Sequence, residues 1–413
     1  MVVLWERVRK KWLCSMASVH LLDPLAEALV RSELAPNVAL GSGARRGDGT
    51  WRFDVGGDAS RMFDLASLTK PMTAVAIALA AEGGLSRTTP LAALCPELAD
   101  TKSASASLEL LLSHRAGLTA HIPIFQPLAL GGTVDPGEAL RTAANARRDE
   151  CEGPYPAEGF APVYSDLGYA LAGMALARYT GAADAGEAID RAIVDRLGVR
   201  GTLGTARDLL KHGVDLASTS APTEVVAWRG GLVVGRVHDE NAWALTGLGG
   251  SGHAGMFGDV SAVLRFGAAV LDGLGGLGPF AGTFLEWLVR ERAGGTLRAG
   301  FDGKSAEGSS AGRLFSARAF GHLGFTGTSL WVDPDAHVVA VLLTNRVWPS
   351  RERAKDAIRE ARPRTHDALH AFATNAQTSS PSPFSLNGEG VSWGSPELED
   401  LPPRPSGRGG VGG

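Results

Sequence analysis

The stretch MFDLASLTKPMTAVAIALAAEGGL, residues 62–85, decides how this chain of 413 residues is read. Met72, Val75, Ala76, Leu79 and Ala80 recur at intervals of three and four, the period that lines one face of an α-helix. Gly83-Gly84 ends that helix. At its entrance stands Ser67-Leu68-Thr69-Lys70, which puts a hydroxyl and an amine on one helical face, one turn apart. A helix N-terminus adds unpaired N–H groups and a partial positive charge, the surroundings that a serine nucleophile and its oxyanion need. Lys70 lies beside an apolar helix, so desolvation is expected to lower its pKa and suit it to proton transfer. Taken alone, S-x-x-K also fits a capping serine followed by a surface lysine.

Two distant stretches join it. Tyr164-Ser165-Asp166 begins 97 residues after Ser67, just before an amphipathic stretch, SDLGYALAGMALARYTG, that closes at Gly181. His322-Leu323-Gly324 lies 158 residues beyond Tyr164 and enters a strand pattern. In this order and spacing the chain resembles the serine β-lactamase and penicillin-binding-protein superfamily, in its class C-like esterase branch. That superfamily carries S-x-x-K, then Y-x-N, then a K-T-G or H-x-G strand. Similar stretches are LLSHRAGL at 111–118, VHDENA at 237–242, GHAGMF at 252–257 and GHLGFTGTSLWVDP at 321–334. The resemblance spans roughly residues 20–370. It implies a β-lactamase/DD-peptidase-like fold and a serine hydrolase that works through an acyl-enzyme without metal or cofactor. Ser67 is then the nucleophile and Lys70 its partner, and Tyr164 shuttles the proton. The Ser67 and Phe325 N–H groups form the oxyanion hole, and His322, Leu323 and Gly324 border the substrate.

Two departures bear on specificity. Asp166 stands where the family has Asn, and an ionised carboxylate accepts hydrogen bonds without donating any. Facing Lys70, it would favour the ammonium, which in turn would favour a Tyr164 phenolate, making Tyr164 the general base and Lys70 its electrostatic support. The other role open to Asp166 is to cap the helix that follows. His322-Leu323-Gly324 replaces Lys-Thr-Gly, so the grip on a carboxylate is lost: leucine offers no hydrogen bond, and histidine is only partly charged near neutral pH. Neutral esters or other amides are therefore favoured over anionic β-lactams. Arg346, after the last strand, could restore a carboxylate partner, but a solvated strand-end charge is the favoured reading of it. A β-lactamase and a D-alanyl-D-alanine carboxypeptidase are the rival activities. A catalytically weak binding protein on the same fold is the rival of another class.

The rest of the chain supplies the frame. Strand patterns at Asn37–Leu40 and Trp51–Val55 flank the Gly-rich link GSGARRGDGT, and Ser329–Val332 and His337–Leu343 flank Asp333-Pro334-Asp335. Helical patterns fill the middle, among them DAGEAIDRAIVDRLGV, read as one helix. The last helix, RAKDAIREARPRTHDALHAF, is expected to be interrupted at Pro363, with His366 and His370 on a surface face. Strands at both ends and helices between predict an α/β (α+β) domain over residues 20–374. Its antiparallel sheet is flanked by helices, with an all-helical region inserted at about 85–230. Residues 1–19 are a poorly ordered extension with an interrupted apolar run, and 375–413, rich in Gly, Pro and Ser, a disordered tail. The formal charge of −4 leaves no basic footprint for nucleic acid, and no apolar run reaches the length of a membrane span. Three scattered cysteines make neither a disulfide framework nor a zinc site, and the run His238-Asp239-Glu240 with His253 reads as a structural loop near the mouth of the site, not a metal centre. The expected partner is a small-molecule ester, amide or β-lactam, the expected compartment the cytoplasm with the periplasm as the other option, and the oligomeric state is open.

Overall fold

A computed structural model describes residues 21–378. Helix α1 (Asp23–Arg31) leads into strands β1 (Val38–Arg45) and β2 (Trp51–Gly57), and β3 (Phe63–Asp64) precedes helix α2 (Thr69–Leu79). Short helices follow, of which α3 (Leu108–Leu112) and the long α4 (Asp166–Thr180) concern the site. Short strands β4 (Leu203–Thr205), β5 (Val225–Val226), β6 (Gly231–Leu232) and β7 (Met256–Gly258) come next, then helix α5 (Val260–Leu274). The chain closes with β8 (Asp302–Gly303), β9 (Phe320–Leu323), β10 (Ser329–Asp333), β11 (Val338–Thr344) and helix α6 (Ala357–Thr378).

The main sheet has six strands in the order β2-β1-β11-β10-β9-β8, antiparallel throughout. Its centre joins the two ends of the chain, with Val38 opposite Thr344 and Ala44 opposite Val338. β11 reads VVAVLLT because it is covered on both faces. Val339, Val341 and Leu343 pack with Val263, Leu264 and Phe266 of α5, while Val338, Ala340 and Leu342 pack with Ala26 of α1 and Ile358 and Leu369 of α6. Each Val, Leu, Ile or Phe side chain among them, taken out of water, contributes about 1.5–3 kcal/mol. Buried Asp272, near the end of α5, accepts the Trp51 indole N–H at 2.9 Å and pairs with Arg45 at 3.1 Å, which ties the helix to the first hairpin.

The elements differ from their sequence patterns in five places. β1 runs on through Gly41 and Gly43 to Arg45, so those glycines belong to the strand and not to the turn. They are gaps for packing: a Cβ at Gly41 would stand 2.7 Å from Leu264 Cδ1, and one at Gly43 would stand 3.0 Å from the Phe53 ring. The region read as all-helical holds β4 and β5, too short to leave a period in the sequence. The helix expected over 184–199 is Ala185–Ile189, a π-helical turn at Asp190–Val194, and Asp195–Leu197. α6 passes through Pro363 without a break and extends to Thr378, into the stretch assigned to the tail. His366 and His370 face inward: His366 Nδ1 donates to the Ser310 carbonyl at 2.6 Å, and its Nε2 accepts from Ser329 Oγ at 2.8 Å. The tertiary contacts of α6 on the sheet, including Ser42 Oγ to the Leu369 carbonyl at 3.0 Å, outweigh the one backbone hydrogen bond the proline forfeits. The 1–19 extension and the remainder of the tail lie outside the described residues. Among those described, no helix is long and apolar enough to cross a membrane.

Gly41→Val tests the helix-to-sheet contact. The added side chain must displace Leu264 and Val260, and thermal unfolding is expected to register a loss of about 1–3 kcal/mol.

Candidate active site

The site begins with a bend. β3 ends at Asp64, whose buried carboxylate accepts the Ala66 N–H at 2.8 Å and the His238 N–H at 2.7 Å. Ala66 has a φ of +47°, a region that residues with a Cβ rarely enter. This bend opens a 3₁₀ turn, Ala66–Leu68, that runs straight into α2, so Ser67 sits half-buried at the entrance of a helix whose every residue is buried. N–H groups in such a first turn have no acceptor within the helix.

Lys70 has no solvent exposure. Its ammonium donates to Ser67 Oγ at 2.9 Å, to Asp166 Oδ1 at 2.7 Å and to the His253 carbonyl at 3.3 Å. Three protons thus meet three acceptors. Burial by itself depresses the Lys70 pKa, but the Asp166 carboxylate, followed by Tyr164, outweighs it and carries the pKa well above the usual lysine value. The expectation that desolvation lowers it therefore fails, because the carboxylate that reverses the shift comes from a helix 96 residues away in sequence. Asp166 itself is held below the usual carboxylate range against its burial, with Lys70 as the leading cause. Its competing role is not taken up: Ser165 occupies the cap position, and Asp166 is the first residue of α4 with its side chain turned to Lys70.

Tyr164 lies over the lysine, with its ring centre 4.8 Å from Lys70 Nζ and the side chain 37% exposed to the cleft. Burial of the phenol, the largest influence, pushes its pKa up; Lys70 and Ser67 pull it down, Asp166 pushes again, and the balance is a raised value. The phenolate expected from the nearby ammonium is thus not the resting state. The ring is stacked on His114 at 4.7 Å and tilted against His322 at 6.0 Å. Burial, and next to it Lys70, pushes both imidazoles down to about 3, so His322 is neutral near pH 7 and not partly charged. His114 holds the Tyr-Ser-Asp segment in place. Its φ is +61°, its Nδ1 accepts the Ser165 N–H at 3.0 Å, and its ring also contacts Tyr169 at 5.2 Å. The signal for it was the position of a histidine between Ser113 and Gly117, two turn-forming residues, in LLSHRAGL.

The third segment reaches Ser67 through two threonines that the sequence reading passed over. Thr326 Oγ1 donates to the Asp64 carbonyl at 2.8 Å, and Thr328 Oγ1 donates to the Leu65 carbonyl at 3.1 Å. The turn joining β9 to β10 is thereby stitched to the bend before Ser67. Gly324 permits the approach, since a Cβ there would collide with Thr328 and the Leu65 carbonyl. Buried Arg362 closes the turn from behind, donating to the Gly324 and Thr328 carbonyls at 2.8 and 2.9 Å. Phe325 stands at the tip with its side chain half exposed, and its N–H meets no acceptor among the described residues. Leu323 is half-buried at the end of β9, where its carbonyl accepts from His322 Nδ1 at 2.8 Å. Arg346 does not serve as a free carboxylate partner: its Nε and Nη2 donate to the Phe325 carbonyl at 3.1 and 2.7 Å, and its Nη1 donates to the Arg351 carbonyl at 2.8 Å.

The histidine and acidic run from the 237–242 loop is engaged side chain by side chain. His238 donates to Glu224 at 3.0 Å, Glu240 pairs with Arg351, and His253 Nε2 donates to Asp239 at 3.0 Å. Among the described residues, no group of three or more His, Cys, Asp or Glu side chains is arranged to hold a metal ion. A cavity of about 250 Å³ opens beside Ala170, Met174 and Leu245, away from Ser67. Its lining includes Ser251, whose Oγ meets His253 Nδ1 at 2.8 Å, but Ser251 is buried and stands at no helix entrance, so the S-x-x-K cluster and not the volume marks the candidate site.

The sequence model of the Beta-lactamase family matches residues 43–362, which include all three motif segments. This chain belongs to the Beta-lactamase family. Its members are serine hydrolases. A Salmonella gallinarum protein provisionally named a D-alanyl-D-alanine carboxypeptidase is 36% identical over 118 residues, which are 27% of this chain and 27% of the relative. The match thus spans about a quarter of that protein. Among solved structures, the hydrolase EstCE1, described as having promiscuous acyltransferase activity, superposes with a TM-score of 0.61 at 17% identity, over 84% of this chain and 97% of that one. A beta-lactamase/D-alanine carboxypeptidase from Pseudomonas syringae gives 0.57 at 18% identity, over 82% and 98%. These likenesses show the β-lactamase/DD-peptidase fold.

The Lys70–Asp166 pair should be visible in stability. Asp166→Ala leaves a buried ammonium without its counter-charge, and the expected loss is about 3 kcal/mol. Asp166 has a lowered pKa, so its contribution is present above the ordinary carboxylate value of 3.8 and disappears as the pH falls through the depressed one. Thermal melts of both proteins should differ most near neutral pH and converge in acid.

Proposed function

We propose that this Beta-lactamase-family chain hydrolyses esters or amides through an acyl-enzyme on Ser67, with carboxylesterase activity favoured. The observation that carries the proposal is the position of Lys70 Nζ, 2.9 Å from Ser67 Oγ and 2.7 Å from Asp166. A permanently charged amine cannot remove the serine proton. Its charge instead supports the oxygen that develops negative character, and the proton goes to the phenolate form of Tyr164. Ser67 Oγ then bonds to the acyl carbon, and the N–H groups of Ser67 and Phe325 receive the oxyanion. Tyr164 returns the proton to the departing alkoxide or amine, and water releases the acyl group by the same steps in reverse order.

The raised Tyr164 pKa sets the pH dependence. The reactive phenolate is scarce at neutral pH, so kcat/KM should climb with pH beyond 9, without a plateau near 7. A fluorophosphonate probe should label Ser67 stoichiometrically, and Ser67→Ala should abolish labelling with the fold intact. Tyr164→Phe should lower nitrophenyl ester turnover by about 10²-fold or more. Full turnover in that variant excludes Tyr164 as the base, and no labelling of the wild type favours a binding protein.

Esters are favoured over anionic β-lactams and peptide carboxylates by the rim of the cleft. Leu323 offers no hydrogen bond, His322 is neutral, and Arg346 is committed to the Phe325 carbonyl. Leu323→Thr should therefore raise acylation by penicillins, measured as covalent adduct by intact mass. An unchanged rate counts against this account of the pocket.

A further inference from the structure

The charges around Ser67 do not balance in the way a carboxylate-binding cleft requires. Asp166 offers Oδ1 to Lys70, while its Oδ2 accepts no hydrogen bond among the described residues. Asp239 likewise spends Oδ1 on the Ala242 N–H at 2.8 Å and on His253 at 3.0 Å, and leaves Oδ2 without a hydrogen bond among those residues. Both side chains are partly open to solvent, at 24% and 30% exposure. They belong to one electrostatic group, because each feels the other's neighbours: Lys70 and His253 act on both carboxylates, and both are held below the usual range against their burial.

Among the described residues, the cations that act on them are already engaged, Arg229 near Asp239 on the Val237 and His238 carbonyls. Lys70 is sealed underneath with its three protons committed, and His114 and His322 are neutral. Arg346 and Arg362 are spent on backbone carbonyls of the 324–328 turn, and Arg351 on Glu224 and Glu240. His253 is buried and faces Asp239 and Ser251. The cleft therefore offers a bound acyl group the open oxygen of Asp166, with Asp239 in the same electrostatic group, and no uncommitted cation among the described residues named here.

Asp166 is also well placed to read the acyl part. Only Lys70 Nζ separates its carboxylate from Ser67 Oγ. An amino group on the carbon next to the acyl carbonyl hangs a short reach from the same Oγ once the acyl-enzyme has formed. We propose that the preferred substrate is an ester or amide whose acyl part carries an ammonium close to its carbonyl, that Asp166 selects it, and that Asp239 reinforces the choice. The proposal rests on the Ser67 hydrolase reading and adds the charge of the substrate to it. The ammonium takes no part in the covalent steps. It donates hydrogen bonds to the open carboxylate oxygens while the acyl carbon moves from the leaving group to Ser67 and then to water.

The experiment uses the full chain and four thioesters of one thiol, carrying D-alanyl, L-alanyl, propionyl and succinyl groups, with thiol release as the readout. Wild type should rank them cationic above neutral above anionic, with the alanyl-to-propionyl ratio of kcat/KM at about tenfold or more. Asp166 also partners Lys70, so Asp166→Asn is expected to change absolute rates, and the ratio is what is read. That ratio should collapse toward unity in Asp166→Asn and fall partway in Asp239→Asn, which does not touch Lys70. It should also shrink at high ionic strength. Equal rates for the alanyl and propionyl thioesters in wild type, or an unchanged ratio in both variants, overturn the charge proposal and leave the hydrolase intact. Failure of every thioester to acylate Ser67 overturns the hydrolase reading, and the charge proposal with it.

Discussion

An ammonium group with no access to water is the constraint around which this molecule is arranged. Removing Lys70 from solvent is costly unless its charge is matched and each proton has an acceptor. Three separate parts of the chain meet that requirement: the turn before α2 supplies Ser67 Oγ, the first residue of α4 supplies a carboxylate, and the loop before β7 supplies the His253 carbonyl. None of the three can shift by much without exposing an unpaired charge. The burial that makes the lysine expensive therefore also fixes the distance between a hydroxyl and its neighbours, which is what catalysis by positioned groups needs.

Around that centre the backbone is held by hydrogen bonds from side chains that take no part in the Lys70 pairing. The bend at Ala66 is paid for by the Asp64 carboxylate, and the turn after β9 is fixed by Thr326, Thr328 and Arg362. His114 plays the matching part on the other wall, where it accepts one N–H and lays a neutral ring against Tyr164. The large sheet, closed by pairing β1 with β11, gives these turns a rigid base, because its central strand is packed on both faces. The acid–base behaviour of the cluster follows from the same arrangement. Lysine and phenol both retain their protons at rest, one through a facing carboxylate and the other through burial.

Elements that local spacing controls can be read along the chain alone. S-x-x-K at a helix entrance, Tyr-Ser-Asp before a second helix and the late strand pair with its Asp-Pro-Asp turn all depend on neighbours a few residues apart, so their order and type were legible. The same holds for the family, which three ordered motifs specify together. The rest depends on groups far apart in the chain that meet only in the folded molecule. The direction of the Lys70 shift changed once Asp166 faced it, Arg346 turned from a solvated strand-end charge to a buried brace, and His366 moved from an apparent surface to the interior. Gly41 and Gly43 changed from turn residues to strand residues because α5 lies against them. In each case the deciding energy is electrostatic or steric contact across the fold. A linear pattern records the kind of side chain at each position, but not which distant charge or helix will press upon it.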